Sequence, residues 1–544
     1  MVVQLVNNKG YEWSNENGNF FKGYICLNGK YYYGKQALAL FEAVNDIDGL
    51  CSVLDKAFGG IYAVVIKTKE GRYLLGTDIM RSFPLFVSKD MIISDNLVLI
   101  KDYLKLGMKD VDTTVVEELY NNCFIGHSRT IFKNVVQVDA GEVISIQKNN
   151  NILRRYYYVH KRPTANMGRN EALEKFKAVS KTVFAEIVNE FRDKPLVLSL
   201  SGGYDSRYVA CMLKHAGAID VSCYSYGKRG SFEVEQSKKV AEALGFRWKC
   251  VEYNNSRIEQ CYNKGFLDFF HMADSLDSTI YLQNYLAVKT LHDEQWIKKG
   301  SIFITGLCND MPSGAYVKSK DHSFCATKDY LLKELTGEFF KKHQLNSKAA
   351  VQFRKELIRV IKEMGLSVHN YQEYVSSHDA VTTIGIHSRL YMHMNDAYAY
   401  YGYQWLMPCW DRRLLEFWYS LPYEYRIEQN LYEEFIMRDI PAQYGCGEKK
   451  QKISYYYLKG ADLFLARIKV AVNRILLKPF GKSITREEDY NNFDRLYALY
   501  YQKLTQKKLV GIRETSLNRI MVLYLLEHYF GKDFTGSYLN KYKW

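Results

Sequence analysis

Glycine, serine and aspartate stand together in "SGGYDS", residues 201–206, directly after the apolar run Leu196–Leu200. Glycines at a strand-to-helix turn allow backbone conformations closed to other residues and let a ligand approach the main chain. The free N–H groups of a helix N-terminus attract anions, and serine hydroxyls add hydrogen-bond donors. An aspartate here would repel a phosphate unless a divalent cation lay between them, so we predict Asp205 to be a Mg²⁺ ligand. The segment therefore predicts a phosphate-binding loop.

The residues around this loop predict the strand and the helix that such a site needs. Two later segments, "VSCYSYG" (221–227) and "SIFITG" (301–306), are also apolar runs that end in glycine. Ligands of an open parallel sheet bind beyond the carboxyl ends of its strands, so we expect the three loops to converge. One face of the helix after the first loop would pack on the sheet. Its apolar positions are Tyr208, Val209, Met212, Leu213 and Ala216.

The loop differs from the GxxxxGK[ST] pattern of a Walker-type phosphate site. It resembles the SGGxDS loop of the PP-loop ATP pyrophosphatases, which cleave ATP between its α and β phosphates and hold the released pyrophosphate there. The resemblance implies ATP and Mg²⁺ as cofactors, with Gly227 near the adenine or ribose and Asp310 as a second carboxylate for Mg²⁺. The alternative is an ordinary turn with capping serines. The implied nucleotide-binding residues are Ser199, Ser201, Gly202, Gly203, Asp205, Ser206, Gly227, Thr305 and Gly306.

Four elements, in order, resemble the glutamine-dependent asparagine synthetases over most of the chain. SGGxDS is followed by a strand–helix–strand unit with "VAEALG", then by "TGLCNDMPSGAY" at the place of an SGxGxDExxGGY loop. Last comes "GYQWLMPCWDRRLLEFWYSLP" (402–422), at the place of a "PFLD"-type motif. The resemblance implies that a substrate carboxylate attacks the α-phosphate of ATP, giving an acyl-adenylate and Mg²⁺-pyrophosphate. An amine or ammonia then attacks the acyl carbon and releases AMP.

The first part of the chain resembles the glutaminase domain of the same family, which is an Ntn-hydrolase-like domain. "LNGKYYYG" resembles its Asn-Gly oxyanion turn, with Asn28 and Gly29 at the matching positions, and Asp78 matches a family aspartate after a long strand. The family's nucleophile is an N-terminal cysteine. Here residue 2 is Val2 and the first cysteine is Cys26. We therefore predict that this part does not hydrolyse glutamine.

The second part departs from the family pattern where the acceptor chemistry would lie. Leu307 and Met311 stand where the family has acidic residues, one of which would orient or deprotonate the attacking ammonia. In "GYQWLMPCWD", Gln404 and Leu406 stand in place of a Glu and an Arg. The residues that would bind phosphate are retained. Because the changed residues lie where the acceptor chemistry would occur, the sequence does not define which acid and which amine are joined.

A lysine-rich segment, "GEKKQKISYYY", falls where the family places a lysine that stabilises charge on the reacting phosphate. Lys449, Lys450 and Lys452 are all candidates. We assign Lys450 as catalytic, beside Asp205 and Asp310. A solvated run of charges explains the same lysines equally well.

Composition limits the classes of protein to which the chain can belong. Eleven cysteines without a CxxC pair indicate reduced thiols in a cytoplasmic protein. The first residues lack the apolar core of a signal peptide, and Lys or Arg interrupts every long apolar run, so we expect no membrane segment. The net charge of +14 permits an anionic partner, but the basic residues are scattered and form no compact module, which disfavours nucleic acid.

These patterns predict a chain of two domains, α/β and α+β in class. Residues 1–160 would form an antiparallel, β-layered, glutaminase-like domain without activity, because short β-like runs alternate with turns there. Residues 161–544 would form a doubly wound parallel sheet of the PP-loop, Rossmann-like kind with a large helical C-terminal part. The reason is that strands and helices alternate first and the sequence after residue 325 is nearly all helical.

The leading hypothesis is an ATP-dependent, adenylate-forming ligase that joins a small-molecule carboxylate to ammonia or an amine. Two alternatives stay open: a tailoring ligase of a natural-product or surface-polysaccharide pathway, and a nucleotide-binding protein without turnover. A PP-loop RNA-modifying enzyme, suggested by a pI near 9.0, is disfavoured by the glutaminase-like part. A homodimer, or a separate protein that delivers the amine, is compatible with the ligase hypotheses.

Overall fold

The structure is a computed structural model that describes residues 2–6, 10–147, 151–307, 309–319, 326–340, 344–449, 468, 491–506 and 517–531. Two β-sheets make up its N-terminal part. Their strands are β1 (Val2–Gln4), β2 (Trp13–Glu16), β3 (Asn19–Leu27), β4 (Lys30–Tyr33), β5 (Gly59–Lys67), β6 (Tyr73–Thr77), β7 (Phe86–Ser88), β8 (Ile92–Ser94), β9 (Val135–Gln137), β10 (Glu142–Ile146) and β11 (Ile152–Tyr156).

The larger N-terminal sheet has seven strands in the order β11-β10-β6-β5-β3-β2, with β4 paired to β3, and all its pairs are antiparallel. The smaller has four strands in the order β1-β8-β7-β9, in which only β1 and β8 run parallel. Strand β5 shows why the sheets are layered. Its alternate residues Ile61, Ala63 and Val65 face the largest core, while Tyr62 and Val64 face a second cluster. The antiparallel layers predicted for this part are confirmed.

Helices cover the outer faces of these sheets. The second cluster is closed by the first two helices, for example by Leu38, Leu50 and Leu54. The side chain of Asp46 accepts a hydrogen bond from Gly49 N at 2.7 Å and so fixes the start of the second helix. The helices of this part are α1 (Gly34–Ala39), α2 (Ile47–Leu54), α3 (Leu97–Leu104) and α4 (Thr113–Asn122).

The central part contains a five-stranded sheet whose strands all run parallel. The strands are β12 (Leu196–Ser199), β13 (Val221–Gly227), β14 (Arg247–Glu252), β15 (Ile302–Ile304) and β16 (Gln404–Leu406). Their spatial order is β14-β13-β12-β15-β16. The chain therefore winds in one direction from β12 to β14 and then returns to the other side of β12 with β15. In such a sheet the crevice for ligands lies where the order reverses, between β12 and β15.

The parallel sheet is confirmed, and one of its strands lies where the sequence predicted helix. Strand β16 has only three residues, and its hydrogen-bond partner β15 is about 100 residues earlier in the chain, so no local pattern marks it. The helices from here onward are α5 (Arg169–Glu190), α6 (Tyr204–His215), α7 (Phe232–Leu244), α8 (Asn255–Cys261), α9 (Lys264–Ala273), α10 (Tyr285–Asp293), α11 (Asp310–Ser313), α12 (Lys328–Phe339), α13 (Lys348–Glu363), α14 (Tyr371–Thr382), α15 (Asp396–Tyr400), α16 (Arg412–Ser420), α17 (Tyr423–Arg426), α18 (Asn430–Arg438), α19 (Ile440–Gln443), α20 (Phe493–Thr505) and α21 (Leu517–Phe530).

A π-helix, Thr383–Tyr391, continues directly from α14 and is followed by a 3₁₀ turn, Met392–Asn395. π-Helical turns are rare in proteins and occur frequently at functional sites. Within the described ranges, no helix is both long and apolar enough to cross a membrane.

The N-terminal and central parts share their largest hydrophobic core. It includes Tyr24 and Ile144 from the antiparallel sheet, Leu198 and Phe303 from the parallel sheet, and Trp418 from α16. A separate cluster joins the smaller N-terminal sheet to α21, because Val522, Leu523 and Leu526 pack with Phe86 and Val116. The domain boundary at residue 160 stays a prediction.

Candidate functional site

The loop "SGGYDS" connects β12 to α6 and is closed by its own two serines. Ser201 N donates a hydrogen bond to Oγ of Ser206 at 3.0 Å, and the two hydroxyl oxygens lie 3.0 Å apart. Gly203 N donates to Oγ of Ser201 at 3.2 Å. Both hydroxyls therefore lie at the N-terminus of α6, where free N–H groups and the helix dipole attract an anion. This loop is suited to hold a phosphate group.

The two glycines of the loop have different surroundings. A Cβ at Gly202 would lie 3.2 Å from Cε1 of Phe232 and 3.3 Å from Cα of Glu233, so the loop packs closely on the start of α7. A Cβ at Gly203 would meet only Oγ of Ser201, at 3.3 Å. Packing against α7 thus explains Gly202, whereas a Cβ at Gly203 would have a single close neighbour, the hydroxyl oxygen of Ser201.

The loop after β15 reaches the start of α6 by direct backbone contact. Asp310 N donates a hydrogen bond to Oδ2 of Asp205 at 3.1 Å. A Cβ at Gly306 would lie 2.8 Å from the carbonyl carbon of Asp205 and 3.0 Å from Ser206 N, so only glycine permits this approach. Thr305 holds the loop in place, because its N–H bonds to Leu406 O at 3.1 Å. The two aspartates predicted to share a cation are therefore neighbours, although more than 100 residues separate them in the chain.

The donor set of this pair fits a magnesium ion that is also bound by phosphate. Mg²⁺ is usually held by one or two carboxylates together with substrate phosphate oxygens and waters, whereas an all-protein site needs more ligands. Asp205 and Asp310 supply two carboxylates beside the phosphate-type loop. Among the described residues no group of three or more His, Cys, Asp or Glu side chains is arranged for a metal. The pair can thus hold Mg²⁺ only together with a phosphate ligand.

A cavity of about 380 Å³ opens at these loops. Its size lies within the range of small-molecule sites. Gly306 lines this cavity, as predicted. Gly227 does not line it, although the preceding residue, Tyr226, does. Gly227 instead ends β13, and its carbonyl accepts a hydrogen bond from Tyr253 N at 2.9 Å. The predicted residues on the wall are Ser199, Ser201, Asp205, Ser206, Thr305, Gly306 and Asp310.

The remaining wall of the cavity is aromatic and was missed by sequence reasoning. Burial raises the pKa of Tyr226 and of Tyr398, so both phenols stay protonated at neutral pH. Tyr398 OH lies 3.2 Å from Tyr224 OH, and Tyr226 stacks on Tyr253 with ring centroids 5.1 Å apart. No motif marks these tyrosines, because the fold collects them from four separate segments. The additional wall residues are Tyr226, Tyr281, Asn284, Leu307, Tyr316, His387, Tyr391, Met394 and Tyr398.

His387 is the one imidazole on the described wall, and it comes from the π-helix. Its Nδ1 lies 3.3 Å from the carbonyl oxygen of Thr382. Burial lowers the pKa of His387, and the negative charge of Asp310 acts in the opposite direction. The imidazole is therefore neutral at neutral pH.

A buried arginine, Arg207, connects the phosphate-type loop to the segment after α19. Its side chain, 1% exposed, donates from Nη2 to Gly202 O at 3.3 Å and from Nη1 to Cys446 O at 3.3 Å. Nη1 also donates to Glu448 O at 2.5 Å. Sequence reasoning missed this residue, since an arginine after "SGGYDS" gives no sign of a partner 240 residues away.

The lysine-rich segment is described only at its start. Lys449 is exposed and forms an ion pair of 3.1 Å with Glu433, whose carboxylate also accepts a hydrogen bond from Tyr204 OH at 3.0 Å. Glu433 therefore contacts both Lys449 and Tyr204, the first residue of α6. Lys450 and Lys452 lie outside the described residues, and the choice among the three lysines stays a prediction.

The Asn-Gly turn of the N-terminal part is the two-residue loop of the β3–β4 hairpin, because Leu27 pairs with Lys30. Asn28 and Gly29 both have positive φ, 51° and 76°, which is typical of a type I′ turn. A Cβ at Gly29 would lie 3.0 Å from the carboxylate of Glu186 in α5, so this turn is packed against the central part. Its role as an oxyanion remnant stays a prediction.

Asp78, the third residue predicted as a glutaminase remnant, is buried, and so is Cys26, the first cysteine of the chain. Burial and the charges of Asp411 and Glu186 raise the pKa of the Cys26 thiol to about 12. The carboxylate of Asp78 accepts hydrogen bonds from the N–H groups of Tyr62, Met80 and Ser82. Burial raises the pKa of Asp78 to about 6, against the effect of these bonds. In this structure Asp78 organises a turn, and Cys26 is a protonated thiol.

Residues 183–444 match a family described as asparagine synthase. No curated protein matches the chain. A similar solved structure is the NH₃-dependent NAD synthetase from Campylobacter jejuni in complex with nitrate, with 19% sequence identity over 37% of this chain and 97% of that chain. The TM-score of that comparison is 0.20, which carries no conclusion about the fold.

Proposed function

We propose that the chain is an ATP-dependent amide ligase, because residues 183–444 match the asparagine synthase family. It would activate a carboxylate as an acyl-adenylate, with release of pyrophosphate, and then transfer the acyl group to an amine or ammonia. The observation that carries this proposal is the direct contact of the two loops at the reversal of strand order, where Asp310 N bonds to Asp205.

The phosphate end of the cavity supports the first half of the reaction. The hydroxyls of Ser201 and Ser206 lie at the N-terminus of α6 and would bind the oxygens of the departing pyrophosphate. Asp205 and Asp310 would hold a Mg²⁺ ion beside this phosphate-binding loop. Mg²⁺ supplies charge neutralisation as negative charge builds up on the leaving group. The hydrogen bond from Asp310 N to Oδ2 of Asp205 holds the two residues together before substrate binds, which limits reorganisation during the reaction.

The acceptor end of the cavity supports a substrate other than free aspartate. Leu307 lines the wall, and Met311 is buried against Oγ1 of Thr383. Apart from Asp205 and Asp310, the described wall residues carry no permanently charged side chain. An α-amino acid substrate needs charged partners for its ammonium and carboxylate groups. A tailoring ligase that acts on another acid is therefore favoured over an asparagine-forming enzyme.

A nucleotide-binding protein without turnover is the second candidate function. It is favoured by the same apolar substitutions, because Leu307 and Met311 cannot act as acids or bases. It predicts ATP binding without any exchange of pyrophosphate.

ATP–pyrophosphate exchange distinguishes these functions. Purified protein is incubated with ATP, Mg²⁺, labelled pyrophosphate and, in turn, aspartate, glutamate, glucuronate, benzoate or 4-hydroxybenzoate. The proposed ligase incorporates label into ATP with at least one acid and, with an amine present, forms AMP. Exchange with aspartate alone would restore the asparagine-forming function. Formation of ADP and phosphate, or binding of ATP without exchange for any acid, would refute the ligase.

A further inference from the structure

The second half of the proposed reaction needs a group that accepts a proton. An amine is a nucleophile only in its uncharged form, and it loses a further proton when it becomes an amide. Leu307 and Met311 cannot accept one; they lie in the loop after β15 and on α11, the helix that begins with Asp310. If the chain forms amides, the base has to come from another element.

The other ionisable groups on the described wall are unsuited to this task. Asp205 and Asp310 lie at the phosphate end, where they are assigned to the cation. The wall also carries five phenols, and a phenol ordinarily keeps its proton at neutral pH. Burial raises the pKa of three of them, Tyr226, Tyr281 and Tyr398, still further. A protonated phenol donates a hydrogen bond but takes up no proton.

The geometry of His387 meets the requirement. The imidazole is 2% exposed and lies on the cavity wall, at the second turn of the π-helix. Because Nδ1 lies 3.3 Å from the carbonyl oxygen of Thr382, which is only an acceptor, Nδ1 carries the proton. Nε2 is then left with its lone pair. Among the described residues no hydrogen-bond partner of Nε2 is found, and no ion pair joins His387 to Asp310.

We propose that His387 is the general base of amide formation, with Nε2 as the atom that accepts the proton of the attacking amine. This inference rests on the proposed ligase function. Imidazole is the side chain most often used for this role, because its basicity is matched to neutral pH.

The step balances in atoms and charge. The amine nitrogen attacks the acyl carbon of the acyl-adenylate, and a new C–N bond forms. The C–O bond to the phosphate breaks, and AMP leaves with the electron pair. The N–H proton passes to Nε2, and Nδ1–H of the resulting imidazolium stays bonded to Thr382 O. The imidazolium then loses its proton to water, which restores the neutral ring.

The test separates the two half-reactions. His387→Gln and His387→Asn are assayed with the acid that gives exchange in the wild type. Adenylation does not use the base, so we expect pyrophosphate exchange within about threefold of the wild type. Amide formation with ammonium chloride should fall by about a hundredfold, the usual contribution of a general base. Hydroxylamine is mostly uncharged at neutral pH and therefore depends less on a general base. In the His387 variants the hydroxamate should form at a rate within about tenfold of the wild type.

A matched control is His369→Gln. His369 is exposed and is not a wall residue, so both half-reactions should be unchanged. Equal loss of exchange and of amide formation in both His387 variants would overturn the proposal in favour of a packing role. Wild-type amide formation from ammonium in either variant would also overturn it. If the wild type shows no pyrophosphate exchange with any acid, both the ligase function and the role of His387 as its base are refuted. If exchange is intact but the His387 variants form amide from ammonium at the wild-type rate, only the role of His387 is refuted.

Discussion

At the residue scale, the same substitution to alanine is expected to destabilise the protein at Gly306 and to have little effect at Gly203. Gly306→Ala places a Cβ 2.8 Å from the backbone of Asp205, which cannot yield as a flexible side chain would. We expect the free energy of unfolding to fall by about 1–3 kcal/mol and pyrophosphate exchange to be lost. Gly203→Ala meets only Oγ of Ser201, and its φ of −77° suits alanine, so stability should change by less than about 0.5 kcal/mol. Urea unfolding measures both, and equal stability of the two variants would contradict the close loop contact.

The two aspartates give a second prediction at this scale. If Asp205 and Asp310 hold one Mg²⁺ on the departing pyrophosphate, they act most strongly in the transition state. Asp205→Asn and Asp310→Asn should each lower kcat of exchange by about a hundredfold, or about 3 kcal/mol, with a smaller effect on ATP binding. The loss of activation free energy in the double variant should be far smaller than the sum of the two single losses, because both residues bind one ion. Asp220→Asn, at the amino end of the sheet, is the control. Full activity of Asp310→Asn would remove that residue from the site.

Cys26 gives a third prediction. With its thiol pKa raised to about 12, the side chain is protonated at every physiological pH and is a weak nucleophile. We expect no glutamate to be released from glutamine by the wild type. Cys26→Ala should leave exchange and amide formation with ammonium unchanged. Release of glutamate at the rate of AMP formation, abolished in Cys26→Ala, would reveal a displaced glutaminase nucleophile.

The sequence predicted one end of the cavity and missed the other. Local chemistry marks "SGGYDS", and the turns after the next strands could be found in the same way. His387 and Tyr281 carry no such mark, because a single histidine or tyrosine among apolar residues is usually a packing residue. Their role depends on which segments the fold brings to the crevice, and no spacing within one segment contains that information.

At the element scale, Arg207 ties α6 to the start of the lysine-rich segment. Its guanidinium is buried and bonds to three carbonyl oxygens, those of Gly202, Cys446 and Glu448. Arg207→Met leaves these acceptors without partners, so stability should fall by about 1–3 kcal/mol. The segment should also detach from α6. We expect trypsin to cleave after Lys449 faster than in the wild type.

The exposed Arg229 provides the control for that experiment, since Arg229→Met should alter neither stability nor cleavage. Unchanged cleavage after Lys449 in Arg207→Met would show that other contacts hold the segment.

Elements were predictable where their pattern is long. Helix α5 spans 22 residues, and its buried residues recur at helical spacing, for example Ala172, Phe176 and Val183. Strand β16 and the π-helix were not predictable. A three-residue strand is defined by its pairing with β15, and a π-helical turn differs from an α-helical one in hydrogen bonding and not in composition.

At the scale of the whole molecule, buried histidines make stability depend on pH. His160 is 1% exposed, its Nε2 contacts Ile79 O at 3.2 Å, and burial lowers its pKa to about 3 from 6.5. Between pH 6.5 and 3 the unfolded chain takes up a proton that the folded chain does not. The stability present above pH 6.5 is therefore lost as the pH falls through this window, by about 1.4 kcal/mol per pH unit. Asp78 and Asp274, whose pKa values burial raises to about 6, act in the opposite direction between about pH 4 and 6.

A comparison of variants isolates the histidine from these carboxylates. His160→Gln removes the titrating ring but keeps a donor for Ile79 O. We expect the slope of unfolding free energy against pH, measured with urea between pH 4 and 6, to decrease by about one proton relative to the wild type. The exposed His369→Gln should keep the wild-type slope. An unchanged slope in His160→Gln would mean that His160 is protonated in the folded protein.

The packing of α21 on the smaller N-terminal sheet has a consequence for biosynthesis. Val522, Leu523 and Leu526 fill a cluster whose other members, such as Phe86 and Val116, leave the ribosome about 400 residues earlier. At about 5–20 residues per second, those side chains wait about 20–80 s for the helix that covers them. An apolar surface open for that long binds chaperones or other nascent chains. Although its strands are local, the first part of this protein can complete its folding only after α21 has been synthesised.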